Sequence, residues 1–278
     1  MNECPILSPR LAETLAALRK LVAQSRLPAT LREAEAFADS TDSGVLLNAS
    51  FETFDSPPAV LADTLRDALP GVETILLHEA RRDRFELFGP GFIHYDAAGS
   101  RYRVGHLSFF QVNRFLVNEL VHAIVEEPGG GLALDLFAGV GLFTIALAQK
   151  FERVVGVESN PAAARDLQAN IDTGKVNAQH VNLPAESLLA NWRETPDLIV
   201  LDPPRAGVPA AALARLVELA PQRIAYLSCD PSTLARDLAV LVGTAGKAEH
   251  YEMSEIHLFD VFPQTFHIES LVRLKRRE

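Results

Sequence analysis

The chain has 278 residues, 48% hydrophobic and 22% charged, a globular balance that excludes a disordered or low-complexity protein. Its net charge of −10 argues against a nonspecific nucleic-acid coat, since the overall field repels phosphate, but leaves room for a local basic patch. No apolar run approaches the roughly 20 residues that span a bilayer. The start Met1-Asn2-Glu3-Cys4-Pro5 lacks a signal-peptide pattern, and two cysteines cannot build a disulfide framework, so the expected setting is a reducing cytoplasm away from membranes.

Leu11, Leu15, Leu18 and Val22 recur at helical spacing and predict an amphipathic helix over residues 9–24. The turn Thr41-Asp42-Ser43-Gly44 leads into a strand from Val45 to Phe51. Residues 59–69 read as helix, and Thr74 to His78, Arg84 to Phe88 and Arg101 to Val104 as strands. Residues 1–107 therefore read as a smaller α+β region with little room for a deep core. Arg81, Arg82, Arg84, Arg101 and Arg103 crowd this region, and Arg273, Lys275, Arg276 and Arg277 crowd the C-terminus. Both clusters suit a solvated face as well as a phosphate contact.

The pattern changes after Gly105. Asn113 to Glu126 reads as a helix ended by Pro128-Gly129-Gly130-Gly131. Strands and helices then alternate: strand Leu132 to Leu136, helix Leu142 to Phe151, strand Val154 to Val157, and a helix capped by Asn160-Pro161 and running to about Ile171. Strand Leu198 to Leu201, helix Ala210 to Leu219 and strand Ile224 to Ser228 follow, and Asp230-Pro231 opens a helix to about Val242. Strand-like runs near Ala248 to Ser254 and His267 to Leu274 finish the chain. Such alternation builds a mostly parallel sheet with helices on both faces, and ligands bind beyond the C-terminal ends of its strands.

Three marked turns fall at that edge. Gly139-Val140-Gly141 follows a strand and opens a helix, but Thr144 stands where a dinucleotide fingerprint needs a third small residue. Glu158 ends the next strand at the spacing where a carboxylate can hold ribose hydroxyls. The pair suits a nucleoside cofactor without a pyrophosphate, such as S-adenosylmethionine. Asp202-Pro203-Pro204-Arg205 holds a carboxylate in a loop stiffened by two prolines, and Cys229 precedes a helix N-terminus whose partial positive charge favours thiolate. A capping aspartate and a buried structural cysteine are the plainer alternatives.

These stretches resemble the S-adenosylmethionine-dependent RNA 5-methyluridine methyltransferases. The resemblance rests on SFFQVN from Ser108, DLFAGVGLFTIALA from Asp135, GVESNP from Gly156, LDPPRAG from Leu201, YLSCDPSTLARDL from Tyr226 and FDVFPQTFHIES from Phe259. It implies an α/β, Rossmann-like class I methyltransferase domain over residues 108–278, with residues 1–107 matching more loosely as a central region expected to contact RNA. It places Cys229 as nucleophile and Glu269 as base. Gln111, Phe137, Glu158 and Asp202, and with a weaker match Asn182, fall on positions lining the cofactor and uracil pocket, beside Gly139 and Gly141 of the cofactor turn. The implied partner is a transfer or ribosomal RNA with a flipped or unpaired uridine.

Family members often carry a small RNA-binding β-barrel and an iron–sulfur cysteine cluster as well. Cys4 resembles the last cysteine of such a cluster, but the other three are missing from this chain, so neither an iron–sulfur centre nor another metal is expected. A fragment and a naturally short member both fit. Leu142 stands where several members carry Asn. The rival readings are an exocyclic amino methyltransferase, disfavoured because Arg205 rather than an aromatic follows the proline pair, and a non-catalytic RNA-binding remnant.

Overall fold

The computed structural model describes residues 4, 6–126, 128–243 and 250–277, and divides into two compact units, Met1–Asp96 with Arg101–Leu107 and Ala97–Ser100 with Ser108–Glu278. In the first, Ser8 Oγ accepts from Leu11 N and Pro9 opens α1 (Pro9–Ala23). Strands β1 (Leu31–Ala38), β2 (Val45–Phe51), β3 (Val72–Glu79) and β4 (Arg84–Phe88) form a sheet in that order, with α2 (Pro58–Ala68) crossing between the parallel β2 and β3. Strands β5 (Phe92–Ala97) and β6 (Ser100–Gly105) form a separate two-stranded sheet.

The expectation of a shallow core here is overturned. Val45, Leu47, Phe51, Ile75 and Leu77 are wholly buried, packed with Leu18 and Leu21 of α1 and Leu61 and Leu65 of α2. Two helices share one sheet face, a pairing that short separate segments do not announce. Strand β1 escapes sequence reading because LREAEAFA is rich in helix formers, and its exposed edge position leaves little apolar alternation.

The second unit holds α3 (Val117–Val125), β7 (Gly130–Leu136), α4 (Leu142–Leu147), β8 (Phe151–Val157), α5 (Pro161–Gly174), β9 (Ala178–Val181), α6 (Ala185–Asn191), β10 (Leu198–Leu201), α7 (Ala210–Leu219), β11 (Arg223–Ser228), α8 (Pro231–Leu241), β12 (Tyr251–Phe259) and β13 (Glu269–Arg276). The sheet order is β12-β13-β11-β10-β7-β8-β9. β11, β10, β7, β8 and β9 run parallel, and β13 inserts antiparallel between β11 and β12. The chain reverses its direction of travel across the sheet between β7 and β10, the switch point where doubly wound sheets open a ligand crevice. Leu134, Leu136, Ile199, Leu201, Tyr226 and Leu216 are among the residues that form its core.

Asn160 and Asp230 cap α5 and α8 as expected, with Asn160 Oδ1 accepting from Ala162 N and Asp230 Oδ1 from Ser232 N and Thr233 N. α3 starts later than expected: residues 114–116 form a turn in which Asn113 Oδ1 accepts from Phe115 N, while Asn113 Nδ2 donates to Val261 O. α4 is shorter than expected: its end tightens through Gln149 N to Ala146 O and Lys150 N to Leu147 O, and Phe151 already belongs to β8. β9 and α6 have no counterpart in the sequence reading. Of the run expected from Ala248, Ala248 itself lies outside the described residues, and β12 begins at Tyr251.

Candidate active site

Strand register alone gathers the marked residues. Leu136 pairs with Val157 on one side and Leu201 on the other, so Phe137, Glu158 and Asp202 leave the sheet at one level. Ser228 pairs with Ser270, which sets Cys229, just past the end of β11, opposite Glu269, the first residue of β13. A cavity of about 570 Å³ opens there, a ligand-sized volume. Gln111, Phe137, Gly139, Glu158, Asp202, Cys229 and Glu269 all line it.

The wall over β7 and β8 is a backbone construction. Phe137, Gly139 and Gly141 take φ values of 69°, 55° and 94°, left-handed conformations that cost a bulky residue such as phenylalanine roughly 1–3 kcal/mol. A Cβ on Gly139 would meet nothing nearer than Phe109 O at 4.0 Å, so the glycine leaves open cavity where a side chain would stand. At Gly141 the need is packing instead, since a Cβ would press Leu167 Cδ1 at 2.6 Å. Glu158 accepts from Gly139 N at 2.8 Å through one oxygen and from Asn160 N at 2.6 Å through the other. Each oxygen keeps a further lone pair for a ligand hydroxyl. Asp135, wholly buried below the turn, accepts from Thr144 Oγ1, and burial pushes its carboxyl up to about 7.

The wall over β10, β11 and β13 is electrically tense. Glu269 is 7% exposed, and its Oε2 has no hydrogen-bond partner among the described residues. Burial raises it to about 7, against the opposing pull of Arg205. Asp202 is half-buried and lines the cavity; burial, then the charges of Glu269 and Asp135, raise its carboxyl well above the ordinary range. The half-buried Cys229 thiol is raised too, by burial first and then by Glu269 and Asp202. This corrects the expectation of a thiolate favoured by the α8 N-terminus. Asp230 already accepts from the first free N–H groups of α8, and burial, then the neighbouring acids, push the thiol up.

One residue ties the two loaded loops together. The buried carboxylate of Asp237 on α8 accepts from Val208 N at 2.8 Å, from Tyr226 Oη at 2.6 Å and from Arg236 Nε at 2.8 Å, while Arg236 also donates to Ala206 O. The Asp202 loop and the strand leading to Cys229 thus share an anchor. A second brace, Asn113 Nδ2 to Val261 O at 3.0 Å, joins the Gln111 segment to the loop before β13. Asn182 stands outside the cavity and donates to Glu158 O and Ser159 O, steadying the loop that carries Glu158. Phe262, His267 and Phe143 line the cavity without having been singled out, and Arg205, read only as the residue after the proline pair, lines it too; Phe262 and His267 sit inside the FDVFPQTFHIES run, so their signal was present but unassigned.

Residues 94–277 match the tRNA (uracil-5-)-methyltransferase family. The chain belongs to this family. An uncharacterized RNA methyltransferase of Thermotoga maritima is 35% identical over 192 residues, which cover 68% of this chain and 43% of that protein. One from Thermosynechococcus vestitus is 29% identical over 99% of this chain and 64% of its own length. The chain thus spans less than two thirds of either relative. A Pyrococcus abyssi tRNA (uracil-54, C5)-methyltransferase, solved with S-adenosyl-L-homocysteine, superposes with a TM-score of 0.79 at 25% identity, over 99% of this chain and 69% of that one. A Methanocaldococcus jannaschii tRNA m1G37 methyltransferase shares the fold at 14% identity and a TM-score of 0.58, covering 95% of this chain and 78% of its own. The α/β, mostly parallel sheet is therefore the class I methyltransferase fold. Among the described residues no cluster of His, Cys, Asp and Glu is arranged to hold a metal, and no helix is long and apolar enough to cross a membrane.

Proposed function

We propose that this chain is the methyl-transferring part of an enzyme that methylates C5 of a uridine in structured RNA, using S-adenosylmethionine. The observation that carries this reading is the register of β11 and β13, which sets a thiol opposite a buried carboxyl in one cavity with Asp202. The opposite wall fits the cofactor. Open space beside Gly139, spare acceptor capacity on Glu158 and apolar lining from Phe137, Leu142 and Phe143 suit a flat base on a ribose. Gln111, Phe137, Glu158 and Asp202 would hold it. When bound, it supplies an electrophilic methyl group to the ring.

The chain's own residues then prepare and restore the uracil. The Cys229 thiol gives its proton to solvent, the resulting thiolate bonds to C6, and the C5–C6 π electrons move toward the O4 carbonyl, making C5 nucleophilic. Burial and its acidic neighbours favour the protonated form of Asp202, and in that form it donates a hydrogen bond to the pyrimidine edge where negative charge develops. Once C5 carries both methyl and hydrogen, Glu269 takes the proton. The C6–S bond breaks, the double bond returns, and Cys229 leaves as thiolate. An acid near 7 is well matched to that proton transfer at neutral pH. A base stacked in a helix cannot reach the thiol, so the uridine is flipped out or unpaired.

The test is trapping. Transfer and ribosomal RNA transcripts made with 5-fluorouridine, given cofactor, are expected to form a denaturation-resistant adduct that Cys229→Ala abolishes. A full-strength adduct in Cys229→Ala, or methyl groups found on exocyclic nitrogens, sinks the reading.

A further inference from the structure

The rim of the cavity carries an aromatic group that the steps above leave unused. Phe266 is 90% exposed, and its ring rests against His267 at 4.1 Å between centroids. His267 lines the cavity with Glu269, takes the edge of Phe262 at 6.0 Å, and has its Nε2 3.3 Å from an Arg205 amino group. The short turn bearing Phe266 is held by Thr265 N to Phe262 O and by His267 N to Thr265 Oγ1. A lone exposed phenylalanine is ordinary. This one continues an inner row of cavity-lining aromatics outward, with an exposed cation at its side.

We infer that Phe266, His267 and Arg205 form a second subsite that receives the nucleotide adjoining the target uridine, stacking its base on Phe266 and meeting its phosphate with Arg205. The inference rests on the RNA-methylation reading. A uridine in the cavity remains covalently joined to its neighbours, so they lie at the cavity mouth, where this rim offers one of them a surface. Once the target leaves the stack, that neighbour has lost a stacking partner, and an exposed ring replaces it without regard to which base it is. The local cation matters because the whole chain, at −10, repels the backbone.

The experiment starts from the mapped 5-fluorouridine adduct of the wild-type protein. A stem-loop oligonucleotide spanning the mapped uridine is made intact and with an abasic nucleotide at the 5′ or the 3′ flank. For the wild type, one abasic flank is expected to raise KM about tenfold with kcat within about twofold, the scale of one base–aromatic stack. Phe266→Ala is expected to show that tenfold rise on the intact oligonucleotide and no further rise on the abasic one, because both changes remove the same contact. Phe266→Trp is expected to restore the wild-type pattern, which a mere folding defect would not do. If neither flank matters, or the losses in Phe266→Ala simply multiply, the subsite is overturned while the adduct and the methylation reading stand. If the wild-type protein forms no adduct, the methylation reading falls and takes the subsite with it.

Discussion

The two walls of the cavity solve opposite problems. Over β7 and β8 the contacts of the cofactor loop are met: Glu158 accepts two backbone N–H groups and Asn182 braces the loop behind it, while Asp135, buried beneath that loop, holds Thr144 with one oxygen and leaves Oδ1 without a partner among the described residues. Over β11 and β13 they are withheld: Glu269 Oε2 has no partner among the described residues, and Asp202, Glu269 and Cys229 are each pushed toward the protonated form. A satisfied wall is rigid and suits binding. A wall of under-solvated acids is poised for proton transfer, Glu269 most directly, with its carboxyl raised to about 7.

Removing the nucleophile is the most severe way to break this contrast. Cys229→Ala should lower turnover at least about 10⁴-fold while leaving S-adenosylhomocysteine affinity within about twofold by calorimetry, since the binding wall is untouched. A parallel loss of affinity would show that the walls are not separable. Next comes Glu269→Gln, expected to slow turnover about 10²- to 10⁴-fold and to let the adduct persist on ordinary uridine RNA, because the C5 proton stays in place.

The acid also sets two pH profiles. Glu269 must be ionised to accept the proton, so the proton-removal step should be absent well below 7, rise through about pH 7 and level off above it. Glu269→Gln should lose that limb. The same substitution removes a negative neighbour of the thiol, so the midpoint of Cys229 alkylation by iodoacetamide should move down. An unchanged midpoint would mean that Glu269 does not act on the thiol.

Asp202 gives a smaller and sharper test. If it works as a neutral donor, Asp202→Asn should retain most activity, while Asp202→Ala should lose about 10²- to 10³-fold in kcat. Equal losses would sink the neutral-donor role. The mildest effects belong to the binding wall: Glu158→Ala should weaken S-adenosylhomocysteine binding about tenfold, and Asn182→Ala only about threefold, because Asn182 acts through the loop rather than on the ligand. A kcat collapse in either would erase the distinction between the walls.

Much of this was legible in the sequence because it was local. Asn160-Pro161 and Asp230-Pro231 announce helix starts through chemistry within three residues, and the caps form as expected. The strand-ending positions of Asp202 and Cys229 follow from short apolar runs before turn residues. What stayed hidden is set by pairing across long stretches of chain. Nothing near Glu269 says that it faces Cys229; only the register of β11 and β13, and without it the family resemblance, does so. The rise of the Cys229 thiol was likewise invisible, because Glu269 and Asp202 are distant in sequence and the helix N-terminus beside the cysteine points the other way. The anchoring by Asp237 is of the same kind, joining residues 11 and 29 positions away.

The antiparallel strand that brings Glu269 into place also sets a schedule. During synthesis the thiol leaves the ribosome some forty residues ahead of the acid, about 2–8 s at ordinary elongation rates. Under the proposed mechanism, the nascent chain for that interval holds the nucleophile without the base that completes the reaction. The strand slotted between β11 and β12 therefore arms the molecule after the rest of its sheet has been made.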